Sequence, residues 1–435
     1  MLIVFLFLMA LIAAAPVIAF LDVSTIGALI AALTAVAVGI IARAIPPEEA
    51  GYVSKLLRPL AIGLALPAAW MVVQIVPMPS AARFSHPIWA SAEAALAMPL
   101  EGSISVDPGV TLVALARYVS LAGLLFVAAA VTVDRRRAEW SLHGLIFVTA
   151  VMAALLIVQS LAGLPFVGSS GPRAKMVLLG GASLGVIVAG AGMIRAFERH
   201  ETRQVKAEAS FSRFVQDFGA NLAALVISCL GLGLAAARPE IFAAACGLGT
   251  LALVVIARRL ALGIWASTAL AAFAILIVLA LAVRNSGQGD LTLRYANAPA
   301  PLISDAERLI GDTSWAGSGA GSFMSLLPIY RDIDDPSDGR AAPTSAAQIA
   351  IEMGAPALWV IVIMMLALAG FLLRGAVRRG RDSFYPAAAM SAVVVLTLEA
   401  FCDASALSTA IALLAATLLG LGLAQSLSRS ARQLA

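Results

Sequence analysis

The chain has 435 residues, 61% of them hydrophobic and only 12% charged, with a mean hydropathy of +0.97 and a net charge of +4. Soluble domains carry roughly 25% charged residues, so composition excludes an ordinary water-soluble fold. The charges gather in short clusters, and the runs between them are apolar for roughly 20 residues, enough for a helix to cross a hydrocarbon core. A closed barrel needs alternating strands of roughly ten residues, and this Ala-, Leu-, Val- and Gly-rich sequence does not alternate in that way. The expected fold is all-α: a polytopic membrane helix bundle whose helices satisfy their own backbone donors and acceptors.

The first run, Met1 to Phe20, has no basic leader and reads as a retained helix rather than a cleaved signal. About twelve spans are expected, at roughly 2–20, 24–43, 57–77, 109–133, 139–162, 176–196, 218–237, 239–257, 262–283, 356–374, 384–402 and 404–426. Cys229, Cys246 and Cys402 all lie in apolar runs, with neither a disulfide framework nor metal-site spacing. With the N-terminus inside, every basic cluster falls on one side. These clusters are Arg43/Lys55/Arg58, Arg135 to Arg137, Arg195 to Arg213, Arg258/Arg259, Arg374 to Arg381 and Arg429/Arg432. Lys and Arg in short loops mark the cytoplasmic side, so both termini are expected there.

Two polar excursions then face outward. The first, 77–108, is rich in Pro, Ser and Trp and suits a chain lying along the membrane interface. The second, Arg284 to Pro343, is acidic and much larger. The expected organisation is helices one to nine in 1–283, a large outer loop in 284–355, and helices ten to twelve with a tail in 356–435.

Within the large insert, Ser304 and Glu307 have the spacing of a capping box. Gly317, Gly319 and Gly321 alternate through the run Trp315 to Phe323 and predict a flexible turn. The dinucleotide fingerprint needs Gly-x-Gly-x-x-Gly between a strand and a helix, so nucleotide binding is rejected. An anion nest of backbone amides and a tight turn both stay open. Met324 to Tyr330 is apolar enough to dip back toward the membrane. Asp332, Asp334, Asp335 and Asp338 lack the closing Glu of a calcium loop and read as a solvated tip. Thr344 to Met353 predicts a helix ended by Gly354.

Several charged residues near the outer side carry a functional reading beside a bland one. Arg238 sits in a short turn between two apolar spans, where it either holds a phosphate bidentately or snorkels to headgroups. Arg173 and Lys175 join the same basic patch or contact headgroups. Arg117 lies about two turns into its span, facing either outward or into the bundle. Glu399 and Asp403 suit proton coupling or simple solvation at helix ends. His86 stands before a proline in a surface loop and reads as structural.

The outer motifs together resemble the O-antigen ligase and O-antigen/exopolysaccharide polymerase superfamily. Trp70, Gln74 and Pro77 to Pro79 are similar to the exit of the family's third helix. Ser105 to Thr111 resembles the opening of its next helix. Ile310 to Phe323 with Pro328 to Tyr330 resembles its glycine motif, and Gln348 to Gly354 the end of its large loop. Asp403 to Leu407 with Leu419 to Leu421 resembles its last helix. The resemblance implies a GT-C-type bacterial inner-membrane protein that transfers an undecaprenyl-pyrophosphate-linked glycan at the periplasmic face. It implies no metal, nucleotide or other cofactor. The bilayer and other polysaccharide-assembly proteins are the expected partners, and nucleic acid is not. By the same resemblance Arg238, Arg308 and Glu352 are the catalytic candidates. Arg173, Lys175, Arg294, Tyr330, Arg331, Gly317, Gly319 and Gly321 are the substrate-binding candidates. The ligase branch carries a histidine just before the Gln348 segment, where this chain reads Arg340 to Ala347 without one. That departure favours a polymerase or a divergent member. A non-catalytic scaffold and a lipid or polysaccharide transporter are the alternatives, although no internal repeat of the transporter kind is visible.

Overall fold

A computed structural model describes residues 1–21, 24–44, 47–80, 82–162, 171–205, 211–235, 238–259, 290–331, 341–378 and 382–426. The expected span 262–283, the acidic tip Asp332 to Asp338, Arg340 and the tail Arg429/Arg432 lie outside these residues. The described chain is almost wholly helical. The helices are α1 (Leu2–Ile18), α2 (Ser24–Ala44), α3 (Pro47–Ile75), α4 (Pro87–Leu96), α5 (Pro108–Val131), α6 (Arg135–Ala162), α7 (Gly171–Val205), α8 (Phe211–Leu234) and α9 (Arg238–Arg259). They continue with α10 (Ala300–Asp312), α11 (Phe323–Tyr330), α12 (Ser345–Met353), α13 (Ala355–Arg378), α14 (Phe384–Glu399) and α15 (Thr409–Ala424).

Seven helices are long and apolar enough to cross a membrane: α5 to α9, α13 and the 58–75 part of α3. Shorter apolar helices occupy α1, α2, α14 and α15. These eleven positions coincide with eleven of the expected spans. The chain is a multi-pass helical membrane protein.

The helices pack around α7, which is buried along nearly all its membrane-length window and touches α6, α8, α9 and α14. Its small residues permit that approach, as in membrane bundles generally. A Cβ on Gly185 would meet Ser228 Oγ at 2.6 Å, and one on Gly181 would meet Met152 Cε at 2.5 Å. On the other side of the bundle, α5 packs against α2, α3 and α15.

Local signals fix several helix ends. Asp107 caps α5, its Oδ1 accepting from Val110 N at 3.0 Å, and Pro108 follows in the first turn. Thr344 caps α12 in the same way through Ala347 N, and Gly354 ends that helix at φ 89°. Other ends differ from expectation. The capping box at Ser304 is not used: α10 begins at Ala300, after Pro299, and Ser304 Oγ donates to Pro301 O. The stretch 77–108 folds as an antiparallel pair, Met78 opposite Gly102 and Pro79 opposite Glu101, around α4. Helix α7 runs on to Val205, past its apolar stretch, because straight-chain charged residues are good helix formers. A turn from Ala400 to Ser408, with a short 3-10 helix at Ser405–Leu407, separates α14 from α15.

The bundle has two chemically different ends. At one, ion pairs tie helix termini together: Arg135 to Asp382 at 2.9 Å, Arg259 to Glu201 at 3.5 Å, Arg258 to Glu198, and Arg199 to Glu139. At the other, the docked segment, residues 290–331 and 341–353, lies on the ends of α3, α5, α9 and α14 and the turn before α15. The basic clusters of α6, α7, α9 and α13 therefore share the end opposite the docked segment.

Candidate functional site

The glycine run is a packed clamp. Residues 316–320 are buried. Gly317, Gly319 and Gly321 adopt φ of 80°, 103° and 82°. At Gly319 a Cβ would lie 2.2 Å from Ser105 Oγ, so the close approach of this backbone to the start of α5 requires glycine. The amides from Gly317 to Phe323 donate within the protein. Ser318 N donates to Ile351 O and Gly319 N to Glu352 O, each at 2.9 Å. Ala320 N donates to Gln74 Oε1 at 3.2 Å. An open anion nest is thus absent from this run, and its flexible-turn reading gives way to a locked one. Trp315, exposed beside it, stacks edge-on with Phe84 at 5.9 Å and lies 6.2 Å from Trp70.

Glu352 is the carboxylate at the centre of the clamp. It is 7% exposed. Its Oε1 accepts from Gln348 Nε2 at 2.9 Å and Phe323 N at 3.4 Å, and the Gly321 amide also donates to the carboxylate. Phe323 opens α11 and Gly321 lies just before its first residue, at a helix end that favours negative charge. Burial still outweighs the donors and raises the Glu352 carboxyl above the ordinary glutamate range, with Arg117 a smaller opposing influence. Arg117 faces into the bundle rather than outward: its Nη2 donates to Leu407 O at 2.5 Å.

A second acidic group lies under the same docked segment. Glu240, Glu399 and Asp403 are 0%, 0% and 2% exposed. They come from the first turn of α9, the last residue of α14 and the turn that follows it. The docked segment covers that turn directly. Ser345 N donates to Asp403 O at 2.8 Å, Ala346 N to Ala400 O at 2.7 Å, and Asn297 N to Cys402 O at 2.9 Å. Asn297 Nδ2 reaches Glu240 Oε1 at 3.3 Å.

The cationic candidates ring this end without meeting Glu352 as a compact set. Arg238 is the first residue of α9, exposed, with no hydrogen bond or ion pair among the described residues. Lys175 is exposed and Arg173 half-buried in the first turns of α7. Arg173 also lines a small cleft with Ile18 to Leu21 and Ser408 to Ala410. Arg308 reaches back along α10 to Asp305 at 2.6 Å. Arg294 and Arg331 are half-buried in the docked segment. Tyr330 bonds Asp312, and burial raises its hydroxyl above the ordinary tyrosine range. His86 caps α4, its Nδ1 accepting from Ile88 N at 3.3 Å. Among the described residues no group of three His, Cys, Asp or Glu side chains is arranged to hold a metal ion.

Sequence reading singled out Glu352 and the glycines, which the fold brings together. It missed the role of Gln74, which holds both, and the convergence of Glu240 with Glu399 and Asp403. The one available signal for Glu240 was an acid in the first turn of an apolar helix, two residues after Arg238. No family model matches the chain, and no curated protein matches it in sequence.

Proposed function

We propose that the chain is a glycosyltransferase of the polymerase or ligase kind. In this reading it acts at the periplasmic face of the bacterial inner membrane on an undecaprenyl-pyrophosphate-linked glycan. The observation that carries the reading is Arg238, an exposed arginine at a helix N-terminus, unpaired among the described residues, at the end covered by the docked segment. A guanidinium beside helix amides suits a diphosphate. Arg173 and Lys175 open α7 at the same end and extend the basic rim.

The reaction breaks the bond between the sugar anomeric carbon and the diphosphate oxygen. It forms a bond from that carbon to an acceptor hydroxyl, whose proton goes to a carboxylate. The undecaprenyl diphosphate leaves with the bonding electron pair. Arg238 and Arg308 stabilise its developing charge. Glu352 is assigned as the proton acceptor, because burial moves its carboxyl toward the range in which a general base works. Arg294, Tyr330 and Arg331 contact the glycan, and the glycine run holds Glu352 in place. Twelve crossings with both termini cytoplasmic complete the proposal. It is supported by the basic clusters sharing the end opposite the docked segment.

Deleting the gene tests the class of acceptor. Lipid-linked repeat units of a single length, with no long polymer, identify a polymerase. Long polymer that never reaches lipid A-core identifies a ligase. Unchanged polymer and unchanged ligation would overturn both.

A further inference from the structure

The three buried carboxylates have an unusual feature besides their burial. Among the described residues, both oxygens of Glu399, Oε2 of Glu240 and Oδ2 of Asp403 have no hydrogen-bond partner. Beside Glu399 lies the hydroxyl of Ser183, on α7, fully buried and itself without a well-formed hydrogen bond. None of the three acids is in an ion pair among the described residues. An isolated buried carboxylate costs several kcal/mol of desolvation, and the group neutralises instead. Two unpaired carboxylates one helical turn apart cannot both remain charged without strong repulsion. Asp403 N donates to Glu399 O at 2.9 Å, which fixes that spacing.

We propose that Glu399 and Asp403 share a bound proton, and that this proton latches the docked segment onto the turn between α14 and α15. With the proton on Glu399, its hydroxyl serves the Asp403 carboxylate and its second oxygen accepts from Ser183. Loss of the proton to water leaves two charges beside Glu240, directly beneath Ser345, Ala346 and Asn297. Repulsion then opens the turn to water and releases the segment bonded to it.

Among the groups around the pair, the acid Glu240 reinforces this direction and the cations at its edge oppose it. Helix α9 brings Glu240, with Arg238 exposed two residues before it. The turn itself brings Cys402. Helix α7 brings the neutral Ser183, with Arg173 at its start lining a cleft against Ser408 at the end of the turn, and α5 brings Arg117, whose guanidinium donates to Leu407 O in the same turn. The docked segment brings Asn297 and Ser345, which are neutral, with Arg294 three residues before Asn297. On Asp403 burial is the largest influence and pushes its carboxyl up to about 7, while two hydrogen bonds from Ser405 oppose it and Glu240 adds to it. A folded-state value above the unfolded one makes docking complete in acid and weaker as pH rises through that value.

The latch does not depend on the transferase reading, since it uses no substrate. The test is amide hydrogen exchange of the full chain in nanodiscs, from mildly acidic to mildly alkaline pH, corrected for intrinsic exchange. In the wild type, exchange at Ser345 and Ala346 rises by up to about tenfold per pH unit from the ordinary carboxylate range up to the docked-state value, and levels off above it. In Glu399→Gln, which carries a neutral isostere, the segment stays protected throughout. A wild-type profile that follows intrinsic exchange alone, or an identical profile in Glu399→Gln, overturns the latch. Infrared spectroscopy of the wild type gives a second readout that needs no variant: a protonated carboxyl C=O band at neutral pH that fades on alkalinisation. Absence of that band also overturns it.

Discussion

Gln74, at the end of α3, donates from Nε2 to the carbonyl oxygen of Glu352 at 2.9 Å, across 278 residues of sequence. The same nitrogen donates to Ala316 O at 3.0 Å, and Oε1 accepts from Ala320 N. One fully buried amide thus joins the bundle, the glycine run and α12.

Gln74→Leu removes that joint and leaves the Ala316 carbonyl and the Ala320 amide unpaired, while the Glu352 carbonyl keeps its bond from Gly319 N. A stranded buried polar group costs about 1–3 kcal/mol, so the variant should lose at least about 2 kcal/mol. Thermal unfolding in detergent measures the loss. Proteolysis should cut first within 315–353, because the clamp lets go before the bundle does.

Gly319→Ala meets Ser105 Oγ at 2.2 Å and holds a left-handed backbone at φ 103°. Steric clash and strain together should cost about 2 kcal/mol or more. Gly311→Ala is the contrast. A Cβ there meets nothing within 4 Å inside α10, so the change should gain up to about 0.5 kcal/mol. Equal losses in the two variants would show that the glycine run is not locked.

The apolar runs, the helix beginning at Thr344 and its stop at Gly354 were legible because each is a local pattern with a local cause. Gln74, Arg117 and Glu240 were not legible in the same way. Each is a polar residue near the end of an apolar helix, where solvation and burial look alike until the partners from α12, Leu407 and the Ala400–Ser408 turn are in place. The proline-led start of α10 displaced the capping box at Ser304 for a local reason that periodicity does not show.

Glu352 has a structural and a chemical part that two substitutions separate. Glu352→Gln keeps an oxygen for Gln348 and Phe323 and should fold, yet lose transfer activity by at least about a hundredfold if it is the base. Glu352→Ala should lose both activity and stability. The sign of the pH effect follows from burial. A folded-state value above the ordinary glutamate value contributes stability at low pH that is lost as pH rises through it. The difference in stability between wild type and Glu352→Gln should therefore move against the wild type with rising pH. A difference independent of pH would contradict the buried setting.

The most direct measurement reconstitutes the purified full chain in vesicles with an undecaprenyl-pyrophosphate-linked glycan and acceptor, and follows free undecaprenyl diphosphate together with glycan length. The expected result is stoichiometric release of the lipid diphosphate and a lengthened or transferred glycan. Arg238→Ala should lower that release by at least about a hundredfold, the size of losing one charge-stabilising donor. Folded wild-type protein that releases none, or Arg238→Ala that releases as much as wild type, would contradict it.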